Sequence, residues 1–271
     1  MSLKVKDIIR IMEGYAPSKL KEDYDNVGLM VGDSNAEVTS ILIALDATLE
    51  VIEEAIEKNC NFILTHHPIL FLKPKTITTD NLLGKKIIRL VKNDISVYSS
   101  HTNLDSVEGG INDIAAKMLG YDEFTIIENT SVPEYSNGKN GIGRLIKLKT
   151  PVKLKDLCEK VKSSFNTPFI RYVGEEDKEV STIAVVNGSG EDFFAISKAK
   201  GADCIITGDT TYHYVSDIKE EDVAIIDAGH FATEWPPMID FGKIFEKLLR
   251  ENNFNNKVYI SEKMQDPYKF I

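Results

Sequence analysis

From Ser40 onward the chain alternates short apolar runs with helical stretches, and this grammar limits the folds open to it. A strand over Ile41–Leu45, a helix over about Glu50–Lys58, a strand over Phe62–Leu64, a helix over about Leu82–Lys92 and a strand over Ile95–Tyr98 follow in turn. Strands joined through helices make parallel crossover units. Their near-continuous apolar character fits a sheet covered on both faces. The same order returns as a strand over Ile183–Val186, a helix over about Glu191–Lys200, and strands over Cys204–Ile206 and Val223–Ile226. Thr39–Thr65 overlays Ser181–Thr207 without a gap, and the third strand of each half is followed by an acid four residues beyond a histidine: His101 with Asp105, His230 with Glu234. The chain therefore reads as α/β, with two similar α/β domains built on mainly parallel sheets. The first spans 1–126 plus 235–271, and the second spans 127–234.

Before this core, Val5, Ile8, Ile9 and Met12 recur at the spacing of one helix face, and Asp25-Asn26 with Gly28 marks a turn. Between the halves, Ser136–Gly143 is a flexible turn and Arg144–Lys149 alternates like an edge or antiparallel strand. Phe241–Arg250 is an amphipathic helix. At 271 residues there is ample chain for a core. No apolar run is long enough to cross a membrane, and Met1–Tyr15 lacks the apolar core of a signal peptide, which points to a cytoplasmic protein. A formal charge of -10 disfavours nucleic acid as a partner. Cys60, Cys158 and Cys204 are widely spaced and odd in number, so they suggest buried thiols and no disulfide framework or thiolate zinc site.

All five histidines follow an apolar strand directly or lie in the loop beyond it. In open parallel sheets that edge is where ligands bind. His66 and His67 end a strand and precede Pro68; neighbours in an extended chain face opposite ways, so two metal ions straddling the chain would take one ring each. His101 and Asp105 share a face if a helical turn begins there, one as ligand and the other as ligand or support. His230 and Glu234 repeat that arithmetic, with a longer carboxylate able to bridge two ions; Trp235-Pro236-Pro237 would put Glu234 near a helix start. The donor set His66, His67, Asp105, His230 and Glu234 suits two divalent ions with open positions. Imidazole with carboxylate admits Zn, Fe, Mn, Co or Ni. Paired ions of this kind serve hydrolytic chemistry. Asp209 and His213 read as groups that orient ligands or hold substrate, and Gly188-Ser189-Gly190 reads as a turn.

Taken together, Leu64-Thr65-His66-His67-Pro68, Ser100-His101-Thr102-Asn103-Leu104-Asp105, Thr207-Gly208-Asp209 with His213, and Gly229-His230 with Glu234 resemble the Nif-three-like proteins, also called GTP cyclohydrolase I type 2 homologs. Asp25-Asn26-Val27-Gly28-Leu29-Met30-Val31-Gly32 is similar to their amino-terminal signature, with Tyr24 where Trp is common. The resemblance implies a dinuclear metal centre in the cleft between two domains, held at His66, His67, Asp105, His230 and Glu234, and a toroidal homohexamer. It also implies a small-molecule, nucleotide-like substrate opened by metal-activated water. The leading reading is a metal-dependent hydrolase of this type in which His101 or His213 is the catalytic group that shuttles protons. A hexameric metal-binding scaffold or regulator without catalysis is the alternative function.

Overall fold

The computed structural model describes residues 2–269 and residue 271. Contacts within the chain divide it into two units, one of Met1–Leu104 with Met238–Gln265 and one of Asp105–Pro237 with Asp266–Ile271.

The first unit opens with α1 (Val5–Tyr15). It buries Val5, Ile8, Ile11 and Met12, and its start is fixed by Asp7, whose carboxylate accepts from the Lys4 amide at 3.0 Å. Then follow β1 (Gly28–Val31), β2 (Ser40–Ala44), α2 (Leu49–Glu57), β3 (Phe62–Thr65), α3 (Leu82–Lys92) and β4 (Ser96–Ser99). Thr48 caps α2 through the Val51 amide, and Asn81 caps α3 through the Gly84 amide at 2.8 Å. Every residue of β2, β3 and β4 is buried, as expected of parallel strands covered on both faces.

A one-turn helix, α4 (Thr102–Ser106), leads into the second unit, which contains α5 (Ile111–Met118), β5 (Thr125–Asn129), β6 (Gly141–Lys153), α6 (Leu154–Ser164), β7 (Arg171–Val173), β8 (Glu179–Ser189), α7 (Phe194–Ala199), β9 (Cys204–Gly208), α8 (Tyr212–Glu220) and β10 (Ala224–Asp227). The segment from Asp105 to Ile126 goes with this unit because β5 pairs with β6 and α5 packs on β6 and β8. α9 (His230–Glu251) runs through Pro236 and Pro237; its residues up to Pro237 belong to the second unit and those from Met238 to the first. The first unit closes with β11 (Lys257–Ile260).

The strand order is β1-β4-β3-β2-β11 in the first sheet and β5-β6-β8-β9-β10-β7 in the second. Each sheet contains three adjacent parallel strands, β2-β3-β4 and β8-β9-β10, and each adds an antiparallel strand beside the third, β1 on β4 and β7 on β10. This shared core is the structural form of the internal similarity. The second sheet is mixed, because β6 lies antiparallel to both β5 and β8. The alternation in Arg144–Lys149 belongs to that long strand. In both units the parallel strands end at the same edge, and the candidate site residues follow them there. No helix among the described residues is long and apolar enough to cross a membrane.

Candidate metal centre

In the first unit, the backbone of β3 continues to pair with the end of β2 beyond Thr65: the His66 amide donates to Ala44 O at 3.3 Å and the His67 amide to Leu45 O at 2.9 Å. The chain bends here, and the Thr65 hydroxyl fixes the bend by donating to His67 O at 2.9 Å. Strand alternation therefore stops at Thr65. The rings of His66 and His67 do not face opposite ways but lie 5.2 Å apart, at an interplanar angle of 43°. His101, two residues beyond β4, brings its ring to 5.0 Å from His66 and 5.6 Å from His67. One ligand atom from each of the three lies within 4.8 Å of the others, a group that could hold a metal ion.

Each ring is held through Nδ1. His66 Nδ1 lies 2.9 Å from Ser100 O, His67 Nδ1 lies 3.0 Å from Asp46 Oδ1, and His101 Nδ1 lies 2.9 Å from Asp25 Oδ1. An oxygen acceptor at Nδ1 selects the tautomer with its proton there, so Nε2 is the nitrogen through which a metal would be bound. Asp25 is the more enclosed of the two carboxylates, its side chain being 0% exposed against 44% for Asp46. It also accepts from the Thr102 amide at 3.1 Å, the Thr102 hydroxyl at 2.6 Å and the Asn26 amide at 2.7 Å. Burial alone would raise its pKa. The hydrogen bond and charge of His101, with the two bonds from Thr102, outweigh that effect and hold the carboxyl well below the usual carboxylate range.

The second unit repeats the device. Asp209, in the left-handed region at φ 47° just after β9, places Oδ2 2.6 Å from His230 Nδ1. On the first turns of α9, His230 Nε2 and Glu234 Oε2 approach to 2.9 Å. Two ligands at about 2.0–2.1 Å from one cation lie roughly 3 Å apart, so this separation suits a shared ion. Glu234 is 4% exposed, an environment in which a carboxylate needs a cationic companion. Gly188, at the end of β8, leaves room for it: a Cβ there would come 2.2 Å from Glu234 Oε1. The Gly188 amide donates to Thr233 Oγ1 at 3.0 Å, and that hydroxyl donates to His230 O at 2.9 Å.

Asp105 sits on α4 at the i+4 position from His101 and accepts from Asn112 Nδ2, at 3.2 Å through its backbone oxygen and 3.4 Å through Oδ1. Asn112 in turn accepts from the Asn187 amide at 3.1 Å. The charge of Arg144 reaches Asp105. Arg144 is itself fully buried, ion-paired with Asp113 and donating to the backbone oxygens of Gly141 and Gly143 at 2.8 and 3.0 Å. His213 is exposed on the first turn of α8, with its ring 5.3 Å from that of Tyr212. All three cysteines are buried and free, with burial pushing the Cys158 thiol up to about 11.

Sequence reasoning missed two groups, Asp25 as the partner of His101 and Asp46 as the partner of His67. Asp46 was detectable, since it follows β2 as Asp209 follows β9. Asp25 read as a turn residue, and its partner lies 76 positions away.

The donors therefore have the chemistry of a metal site: imidazole nitrogens with fixed tautomers, buried carboxylate and no thiolate. Comparison with known proteins gives the family. Residues 3–267 match the family model of Duf34/NIF3 (NGG1p interacting factor 3). A protein of Clostridium acetobutylicum named GTP cyclohydrolase 1 type 2 homolog is 55% identical, with 100% of each chain covered. The solved structure of a hypothetical protein from Staphylococcus aureus is similar at a TM-score of 0.91 and 29% identity, covering 100% of both chains. The crystal structure of a Bacillus cereus protein related to NIF3 gives 0.91 at 26% identity, covering 100% of this chain and 99% of that one. The chain belongs to the Duf34/NIF3 family.

Proposed function

We propose that this protein is a metal-dependent hydrolase of the GTP cyclohydrolase 1 type 2 kind, acting on a nucleotide-like substrate. The observation that carries the reading is that His66, His67 and His230, on two sheet edges, each have Nδ1 anchored by oxygen, which leaves Nε2 for a cation. In this proposal His66, His67, Asp105, His230 and Glu234 hold two divalent ions. When bound, such a pair supplies an acidified water and a clamp for anionic oxygens.

The protein's own groups do the rest. Asp46 and Asp209 keep His67 and His230 in the ligating tautomer. Asn112 steadies Asp105. His101, its Nδ1 fixed by Asp25, exchanges a proton at Nε2; His213 is the second candidate for that work. The relatives' name, GTP cyclohydrolase 1 type 2 homolog, supports a guanine nucleotide as the first substrate to test. Assembly into a homohexameric ring is part of the proposal and is read directly by native mass measurement.

The test is turnover of GTP and other nucleotides by metal-loaded protein, beside His67→Ala and Glu234→Ala. Wild-type protein should consume at least one nucleotide, and each variant should lose roughly 100-fold or more, since direct ligands matter at least as much as the groups behind them. Turnover unaffected by either change rejects the reading, as does the absence of turnover with every nucleotide tried.

A further inference from the structure

Directly after its two histidines the first unit carries a surface feature that metal binding does not use. The chain continues Pro68-Ile69-Leu70-Phe71-Leu72-Lys73-Pro74-Lys75. Large apolar side chains here stay in solvent: Phe71 is 48% exposed and Leu72 77%, and Tyr24, from the turn before β1, is 69% exposed. The rings nevertheless have a fixed arrangement. Phe71 stands edge-on to His101 at 6.4 Å and 82°, and Tyr24 stands edge-on to Phe71 at 6.5 Å and 63°. Asn26 Nδ2 donates to Leu70 O at 2.6 Å, tying this loop to the turn that carries Tyr24 and Asp25. A series of rings thus leads outward from the histidine group. Such an exposed aromatic surface marks a place where something binds.

Charge narrows what that is. Lys73 and Lys75 are exposed and form no ion pair among the described residues. Lys86 on α3 lies within electrostatic reach of Asp46, the partner of His67. The acids nearest the shelf in sequence are Asp23, Asp25 and Asp80; Asp25 is already engaged by His101 at 2.9 Å and the Thr102 hydroxyl at 2.6 Å, and Asp80 by the Thr78 hydroxyl at 3.2 Å. In a chain of net charge -10, unpaired lysines beside an aromatic shelf create a local attraction for anions.

We propose that Phe71 and Tyr24 form a stacking shelf for a planar heteroaromatic ring, and that Lys73 and Lys75 receive an anionic tail on the same molecule. The ligand class is a nucleoside phosphate with its ring beside His101. The inference rests on the hydrolase reading for what becomes of the ring; binding at the shelf does not require turnover.

Equilibrium binding of GTP, guanosine and inorganic triphosphate to metal-loaded protein tests it. Phe71→Ala should weaken GTP and guanosine roughly tenfold, as loss of one base-stacking partner does, and leave triphosphate unchanged; Phe71→Tyr should restore both. The double change Lys73→Ala with Lys75→Ala should weaken GTP and triphosphate, spare guanosine and flatten the salt dependence of GTP binding. This pattern without turnover leaves the shelf standing and removes the hydrolase. Turnover with KM unchanged in both variants removes the shelf and leaves the hydrolase. Failure of wild-type protein to bind GTP overturns the proposal. So does a Phe71→Ala protein that changes its oligomeric mass while binding GTP normally, for then the shelf is a contact between copies.

Discussion

Replacing Gly188 by alanine separates the cost of folding from the cost of placing a metal ligand. Gly188 has φ +62°, and an added Cβ would lie 2.2 Å from Glu234 Oε1, 3.1 Å from its Cδ and 3.3 Å from His230 Cε1. The left-handed backbone alone costs a non-glycine residue about 1–2 kcal/mol. To reach even a 3.0 Å contact, Glu234 Oε1 must retreat by 3.0 − 2.2 = 0.8 Å. Being the end of a side chain, it can do so by rotation, which adds little to the folding cost. A metal site is less forgiving, because ligand distances hold to within about 0.2 Å. Loss of proper ligation should lower affinity at least 10–100-fold, as much as removing a group behind a ligand does. Gly201 is the control: its φ is +87° and nothing lies within 4 Å of an added Cβ. In zinc titrations against a competing chelator, Gly188→Ala should bind at least about tenfold more weakly than wild type and Gly201→Ala should match wild type. Thermal unfolding of the two metal-free variants should shift by similar amounts. Wild-type zinc affinity in Gly188→Ala would refute the placement of Glu234 as a ligand.

Asp46→Asn and Asp209→Asn keep the shape but free the histidine tautomers, so each should lower metal affinity about 10–100-fold while the metal-free protein unfolds near the wild-type temperature. Arg144→Met strands the Asp113 carboxylate in the core and should cost about 3–5 kcal/mol in denaturant unfolding; the further change Asp113→Leu should recover part of it. Glu54 gives the pH dependence. Burial works to raise its pKa, but Lys58 at 2.7 Å, the Ser261 hydroxyl and the Glu262 amide at 2.8 Å prevail and lower it. A depressed folded-state pKa stabilises fully above the unfolded value of about 4.3 and is lost as pH falls through the folded value, so stability should decline as pH falls below about 4.3. Glu54→Gln should make that decline shallower.

Periodicity and position carried much of this into view. α3 falls on the residues that the apolar spacing marks, and β2, β3 and β4 fall within a residue or so of the apolar runs. Histidines placed after strands read as site residues because parallel strands all end at one edge. What stayed hidden depended on the chain's three-dimensional path. His66 and His67 approach each other because the strand ends at Thr65, and alternation cannot report such a bend. α9 extends from His230 through two prolines, where a sequence reading stops, so only its Phe241–Arg250 stretch was visible as a helix. β11 and β7 contain no fully buried residue, unlike β3 and β4, so no buried apolar run marks them, and they exist by pairing with β2 and β10.

The central claim is that these anchored imidazoles and carboxylates exist to hold cations. Elemental analysis of the purified protein, expressed as metal per chain, tests it most directly. Two divalent ions per chain are predicted for wild type, with a clear fall in His67→Ala and Glu234→Ala. Protein that carries no divalent metal and takes none up on titration, or metal content indifferent to both substitutions, would contradict it.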